Sequence, residues 1–261
     1  MTAANKSFDR VAHCYDETRA MPPEAQAAVT AGIARVARTI TAEPLLLEMG
    51  IGTGRIALPL AVSGVRVVGI DLARAMLARL RARRPELPVA IADMTRLPFG
   101  AVRFDCVLFV HVLHLLPDPG AGLRAAREVL RPGGRLLYGR QGFDSSPLLR
   151  AAAVVRDVVA EISGLKLEGW GPHERAGEAF AADARAVGIE PVESLLVRWE
   201  ERTTGRRVLE HVAARVWSST WDIPDAIMTE VLRRLEPRIE ALVGDLDRPL
   251  VSEATFTLMA A

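Results

Sequence analysis

Glu48 stands two positions before a glycine triplet, in the run Leu45-Leu46-Leu47-Glu48-Met49-Gly50-Ile51-Gly52-Thr53-Gly54. An apolar strand that leads into such a turn and then a helix brings backbone N–H groups close to a ligand, beside a positive helix start. A diphosphate site would read Gly-x-Gly-x-x-Gly, but here Gly54 comes one residue early and Arg55 holds the place that version requires. Glu48 would also repel a diphosphate. A ligand with a cationic amine fits the same place better, because opposite charges attract and a carboxylate accepts short charge-assisted hydrogen bonds.

The elements that must position this acid follow from the hydrophobic pattern. From Leu45 onward, short apolar runs alternate with amphipathic segments, the signature of a parallel sheet with helices on both faces. Strands are expected at Leu45 to Met49, Val65 to Ile70, Val89 to Ala92, Cys106 to Val110 and Arg135 to Tyr138. Helices fall between them at Gly54 to Val62, Arg74 to Arg84 and Gly122 to Leu130, the last ended by Pro132-Gly133-Gly134. Asp71 and Asp93 each follow a strand, so with Glu48 they put three carboxylates at the strand ends where open sheets bind ligands.

Beyond Arg140 the rhythm changes. A helix over Pro147 to Ile162 precedes a Gly/Trp-rich stretch, Gly164 to Pro172, then a helix over Glu174 to Val187, an edge strand over Val192 to Glu200, a helical block over Arg206 to Leu242 and a last strand over Ala254 to Met259. The fold expected is a doubly wound, Rossmann-like α/β sheet of seven strands, mostly parallel with an antiparallel last strand. Residues 1–261 form one domain with a cofactor-binding core at 40–140, and 141–175 and 206–245 are read as cap insertions over the acceptor.

The totals exclude several classes. At 261 residues, 50% hydrophobic and 25% charged, the chain has ordinary globular composition, and a net charge of +1 argues against a generic nucleic-acid binder. Cys14 and Cys106 are far apart and form no Cys-x-x-Cys pair, and no basic-then-apolar leader opens the chain, so a reduced, cytoplasmic protein is expected. The longest apolar stretch, Cys106 to Pro117, contains two histidines and is too short to span a bilayer. No metal constellation is visible.

Together, Glu48 to Gly54, Gly69-Ile70-Asp71, Ala92-Asp93-Met94 and Leu130-Arg131-Pro132-Gly133-Gly134-Arg135-Leu136-Leu137 resemble the class I S-adenosylmethionine-dependent methyltransferases. The resemblance runs over roughly residues 8 to 140 and is nearest to the type 11 group of quinone-ring and other small-molecule enzymes. Phe8-Asp9-Arg10-Val11-Ala12 and Tyr15-Asp16-Glu17-Thr18-Arg19 resemble that group's N-terminal segment, which packs over the cofactor. The resemblance implies that Glu48 holds the amino group of S-adenosyl-L-methionine, that Gly50, Gly52 and Gly54 pass beneath its methionine part, and that Asp71 accepts the ribose hydroxyls. It implies Asp93 at the adenine amino group, Met94 and Leu72 on the ring faces, Tyr15 and Arg19 at the carboxylate end, and Val110 and His111 beside the sulfonium.

His111 and His114 follow strand four, where a general base could reach an acceptor; packing and turn hydrogen bonding are the other reading. His173, His211, Trp170, Trp217 and Trp221 either face an acceptor or form the core of the cap. The function expected is methyl transfer to the O, N or C atom of a small organic acceptor. A cofactor-binding protein without methyl transfer and an NAD-dependent oxidoreductase are the alternatives, the latter opposed by Glu48 and Arg55.

Overall fold

The computed structural model describes residues 8–100, 103–143, 147–167, 173–186, 188 and 190–261. Its strands are β1 (Leu45–Met49), β2 (Arg66–Asp71), β3 (Val89–Ile91), β4 (Phe104–Val110), β5 (Leu130–Phe143), β6 (Val192–Thr203) and β7 (Leu250–Ala260). They form one seven-stranded sheet in the order β3-β2-β1-β4-β5-β7-β6. β1 pairs in parallel with both β2 and β4, and the parallel ladder continues to β3 on one side and β5 on the other. Leu136 and Ala261 exchange N–H···O bonds in both directions at 2.9 Å, the mark of antiparallel pairing, so the last strand, β7, runs against β5. The strand order turns back between β1 and β4, and a ligand crevice belongs at their carboxyl ends.

The central strands are the most apolar because both of their faces are covered: every residue of β4 is buried, as are Leu46, Leu47 and Met49 of β1. Helices α1 (Tyr15–Thr18), α2 (Pro23–Arg38), α3 (Ala57–Val62), α4 (Arg74–Arg83), α5 (Pro119–Val129) and α7 (His173–Ala186) alternate with these strands along the chain, and α6 (Pro147–Ser163), α8 (Gly205–Ala213) and α9 (Asp225–Val243) lie in the C-terminal half. In α4, Met76, Leu77 and Leu80 are buried on one stripe, and Arg84 leaves the helical region one residue before Pro85.

Several boundaries differ from the sequence expectation, each for a local reason. Helix α5 begins at Pro119 and not at Gly122, because proline at the first helical position has its φ pre-set and loses no needed donor. The stretch Gly54 to Ile56 is spent on the turn, so α3 starts at Ala57. β5 is much longer than Arg135 to Tyr138. Its pairing with β4 jumps from Phe104↔Leu130 to Cys106↔Arg135, and the residues between, which include Pro132 without an N–H, form a bulge. Arg131 in that bulge pairs at 2.6 Å with the buried Asp105, whose other oxygen accepts from Leu45 N at 2.7 Å.

Gly54 owes its place to packing. Its φ is +83°, and a Cβ there would lie 2.9 Å from Leu58 Cγ and 3.0 Å from Leu80 Cδ1, where α3 and α4 close on the turn. Gly54→Ala is therefore expected to destabilise the protein by about 1–3 kcal/mol through strain and overpacking, read as a lowered melting temperature. An unchanged transition would refute this role.

The chain divides into two compact units: one comprises the residues up to Gln141 with Ala176–Val197 and Phe256–Ala261, the other Gly142–Arg175 with Arg198–Thr255. Each has its own core. In the first, Leu47, Met49, Ile70, Phe104, Phe109 and Leu136 pack together; in the second, Val155, Val159, Val208, Val231, Leu235 and Ile239 do. Within the second unit Trp217 packs on that core and meets the His211 ring edge-on at 5.1 Å, while Trp221 Nε1 donates to Arg215 O at 2.8 Å. Trp170 and the side chain of His173 lie outside the described residues. No helix among the described residues is long and apolar enough to cross a membrane.

Candidate functional site

The turn after β1 is held by one carbonyl: Ile70 O accepts from Gly50 N at 2.8 Å and from Ile51 N at 3.0 Å. This ties the glycine turn to the end of β2, so that Asp71 and Gly52 meet. Asp71 Oδ2 accepts from Gly52 N, and Oδ1 from Ala73 N, both at 2.8 Å. Each oxygen has lone-pair capacity for a second donor. Burial raises the Asp71 pKa above its ordinary value, a pull only partly offset by the backbone N–H groups of Ala73, Gly52 and Leu72. Gly52, with φ +56°, has no atom nearer than Asp71 Oδ2 at 4.0 Å where a Cβ would stand, so a side chain there would fill the space above the turn.

A pocket enclosing about 610 Å³, part of it open to solvent, lies against this turn. Tyr15, Gly50, Gly52, Asp71, Leu72, Met94 and His111 line it, as the sequence assigned them to one ligand. Phe8, which the sequence reading placed in a segment over the cofactor, and Met76, Val112, Leu115 and Leu116, to which it gave no ligand role, complete the wall. Val112, Leu115 and Leu116 recur at helical spacing just after β4, a pattern that could have marked them as one apolar face.

Glu48 is 2% exposed and sits in the centre of the sheet, opposite Gly69 on β2 and Leu108 on β4. Its Oε2 is buried without a hydrogen-bond partner. Burial pushes its pKa up from 4.5 to about 8; the Arg55 cation pulls it down and the Asp71 anion adds to the rise. A carboxyl in this state stays neutral up to about pH 8, and Glu48 lies behind the residues that line the pocket, not among them. Arg55, which follows the turn, donates from Nη1 to Arg19 O at 3.3 Å.

The remaining sequence candidates are placed differently. Arg19 does not line the pocket; its guanidinium lies 6.0 Å over the Tyr15 ring, and burial lowers its pKa. Asp93 is also outside the lining, and its Oδ1 accepts from Thr95 N and Thr95 Oγ1 at 2.8 Å, forming a turn after β3. Val110 is buried near Gly139 of β5, and Gly54 packs between α3 and α4. His114 is exposed in a short 3-10 turn, Leu113–Leu115, and lies outside the pocket wall.

His111 holds a left-handed backbone, φ 55°, which a non-glycine residue adopts only at a cost. Its Nε2 accepts from Gln141 N at 3.2 Å, bridging the loop after β4 to β5. Taking up a proton at Nε2 would break that bond.

This geometry is a buried acid beneath a glycine turn, with a second carboxylate at the next strand end and apolar walls. Residues 47–138 match the family described as "Methyltransferase domain". That match takes in the glycine turn, Asp71 and β4. Over 137 residues the chain is 36% identical to a demethylmenaquinone methyltransferase from Beutenbergia cavernae, covering 50% of this chain and 54% of the relative. A demethylmenaquinone methyltransferase from Mycolicibacterium vanbaalenii is 36% identical over 130 residues, 50% of this chain and 56% of its own. The chain thus spans about half the length of the curated relatives it matches. The fold of a candidate type II methyltransferase from Anaeromyxobacter dehalogenans extends the likeness, with TM-score 0.59 and 21% identity over 93% of this chain and 98% of that one.

Proposed function

We propose that the protein is a methyltransferase that uses S-adenosyl-L-methionine to methylate a small organic acceptor. The observation that carries this reading is the unpartnered, buried Oε2 of Glu48 on β1, which leads into the turn whose Gly52 N donates to Asp71. The residues present fit the cofactor. Glu48 offers an anion to its amine, Asp71 two acceptor oxygens to its ribose, and Leu72, Met76 and Met94 an apolar wall. Tyr15 and Arg19 are assigned to its carboxylate end, Asp93 with Met94 to adenine. When bound, the cofactor supplies a methyl group on a positively charged sulfur with a neutral thioether as leaving group.

What the chain's own residues do is position and desolvate. In-line displacement from such a donor needs little side-chain chemistry, and holding the reactants in a water-poor pocket supplies much of the acceleration. His111 is bound through Nε2 to β5, so its role is to hold the strand ends together, and an acceptor arriving as an amine or a stabilised carbanion needs no base. Acceptor recognition is assigned to the second unit, which contains most of the expected cap of 141–175 and 206–245. The quinone acceptor in the relatives' names is one candidate among small acceptors, because the likeness covers only half of this chain.

Calorimetry with S-adenosylhomocysteine and with NAD tests the cofactor; tight NAD binding without the homocysteine ligand would overturn the reading. Methyl-labelled cofactor incubated with a cell extract tests transfer, and a labelled small product is expected. With an acceptor in hand, His111→Asn is expected to lower turnover by less than about tenfold, because asparagine tolerates the left-handed backbone. A loss of about 10²–10⁴ would make His111 the general base.

A further inference from the structure

The glycine turn is fastened by residues that lie outside the pocket wall. Thr53, 1% exposed, donates its hydroxyl to Asp16 Oδ1 at 2.5 Å. Arg83 Nη1 lies 3.2 Å from Asp16 Oδ2, and Arg83 Nη2 donates to the Thr53 carbonyl. Asp16 on α1, Thr53 in the turn and Arg83 at the end of α4 thus close a ring of three contacts. Two further bonds anchor the same N-terminal segment: Asp9 Oδ1 accepts from Ala75 N at 2.7 Å, and Arg19 O accepts from Arg55. Asp16 immediately follows Tyr15, which lines the pocket, and Phe8, also in the wall, meets Tyr15 edge-on at 5.9 Å.

We propose that Asp16 is a positioning residue for the cofactor. Through Thr53 and Arg83 it fixes the turn between Gly52 and Gly54, and through the adjoining Tyr15 it holds the N-terminal segment against the pocket, so that cofactor release requires this ring to open. The inference rests on reading the pocket as a site for S-adenosyl-L-methionine and its product.

The side chains of Asp16 and Arg83 are 30% and 44% exposed, so water screens their attraction and their contribution to global stability is small. The contact instead orders a short terminal segment that has little core of its own, and local opening of such a segment governs how long a ligand beneath it stays. Its effect therefore falls on the dissociation rate.

The test is displacement of S-adenosylhomocysteine in a stopped-flow experiment, with association measured alongside, for the unaltered protein, Asp16→Ala, Asp16→Asn, Arg83→Met and the Asp16→Ala/Arg83→Met double variant. Asp16→Ala is expected to release the ligand about tenfold faster, with association changed by less than about twofold. Asp16→Asn, which keeps an acceptor for Thr53 but no charge for Arg83, should release it about threefold faster, and Arg83→Met should behave alike. The double variant should be no worse than Asp16→Ala, because both changes break one ring. Release within about twofold of the unaltered protein in both Asp16 variants, or multiplicative losses in the double variant, overturns the proposal alone. Failure of the unaltered protein to bind S-adenosylhomocysteine overturns the cofactor reading and this inference with it.

Discussion

Replacing Glu48 with glutamine is expected to weaken S-adenosylhomocysteine binding by about 10- to 100-fold, the worth of a charge-assisted hydrogen bond, while raising the melting temperature of the unliganded protein at pH 8.5. The two effects have one cause. Folded Glu48 keeps its proton to about pH 8, whereas the unfolded acid gives it up near 4.5. Between those values unfolding releases a proton, so stability falls as pH rises from about 4.5 through 8, and above that the full cost of a buried anion is present. Glutamine removes this cost, on the order of several kcal/mol, and a gain of about 3–8 °C at pH 8.5 is expected after the amide's own burial is counted. At pH 4 the two proteins should melt alike. A lower melting temperature for Glu48→Gln at pH 8.5 would show that the carboxylate is satisfied in the unliganded protein.

The same acid makes binding depend on pH. Below pH 8 Glu48 and a ligand amine are both protonated, so the proposed ion pair would form with the loss of one proton. Affinity should rise about tenfold per pH unit toward pH 8 and then level off until the amine itself loses its proton. Calorimetry at pH 6.5 in buffers of different ionisation enthalpy should count about one proton released, and none with Glu48→Gln.

Asp71→Asn is expected to act in the opposite sense on stability. Two backbone N–H groups, Gly52 and Ala73, each point at a different Asp71 oxygen. An amide has one oxygen, so one N–H would face an NH₂ group, and the loss should be about 1–3 kcal/mol of stability. Cofactor binding should fall by about 10- to 100-fold as well, because the same change puts a donor where a ribose hydroxyl must donate. Urea denaturation and calorimetry of this one variant measure both. Retained affinity with lost stability would make Asp71 a fastener of the turn only. Of these two acid-to-amide changes on neighbouring strands, Glu48→Gln is thus predicted to lower binding while raising stability, and Asp71→Asn to lower both.

Much of the cofactor half was legible in order along the chain. Apolar runs such as Leu45 to Met49 and Cys106 to Val110 have no choice but a buried central strand, and a parallel sheet places whatever follows them on one edge. That logic located Glu48, Asp71 and the glycine turn without any contact being known. It could not show which glycine serves the ligand: Gly52 faces open space and Gly54 faces Leu58 and Leu80, a difference made by helices distant in sequence. Nor could it separate Asp71, whose oxygens meet the turn, from Asp93, which closes a turn of its own on Thr95. Both follow a strand and end in the same carboxylate.

The sequence by itself determined the alternation of strands and helices and the place of a carboxylate before the glycine triplet, because these depend on local periodicity and on residue type. Only the tertiary structure decided that Glu48 is buried with an unpartnered oxygen, that His111 is tied to Gln141, that His114 is exposed outside the pocket wall, and that Asp16 reaches Thr53 and Arg83. Desolvation and hydrogen bonding between segments far apart in the chain are properties of the packed molecule, and no spacing along a strand or helix encodes them.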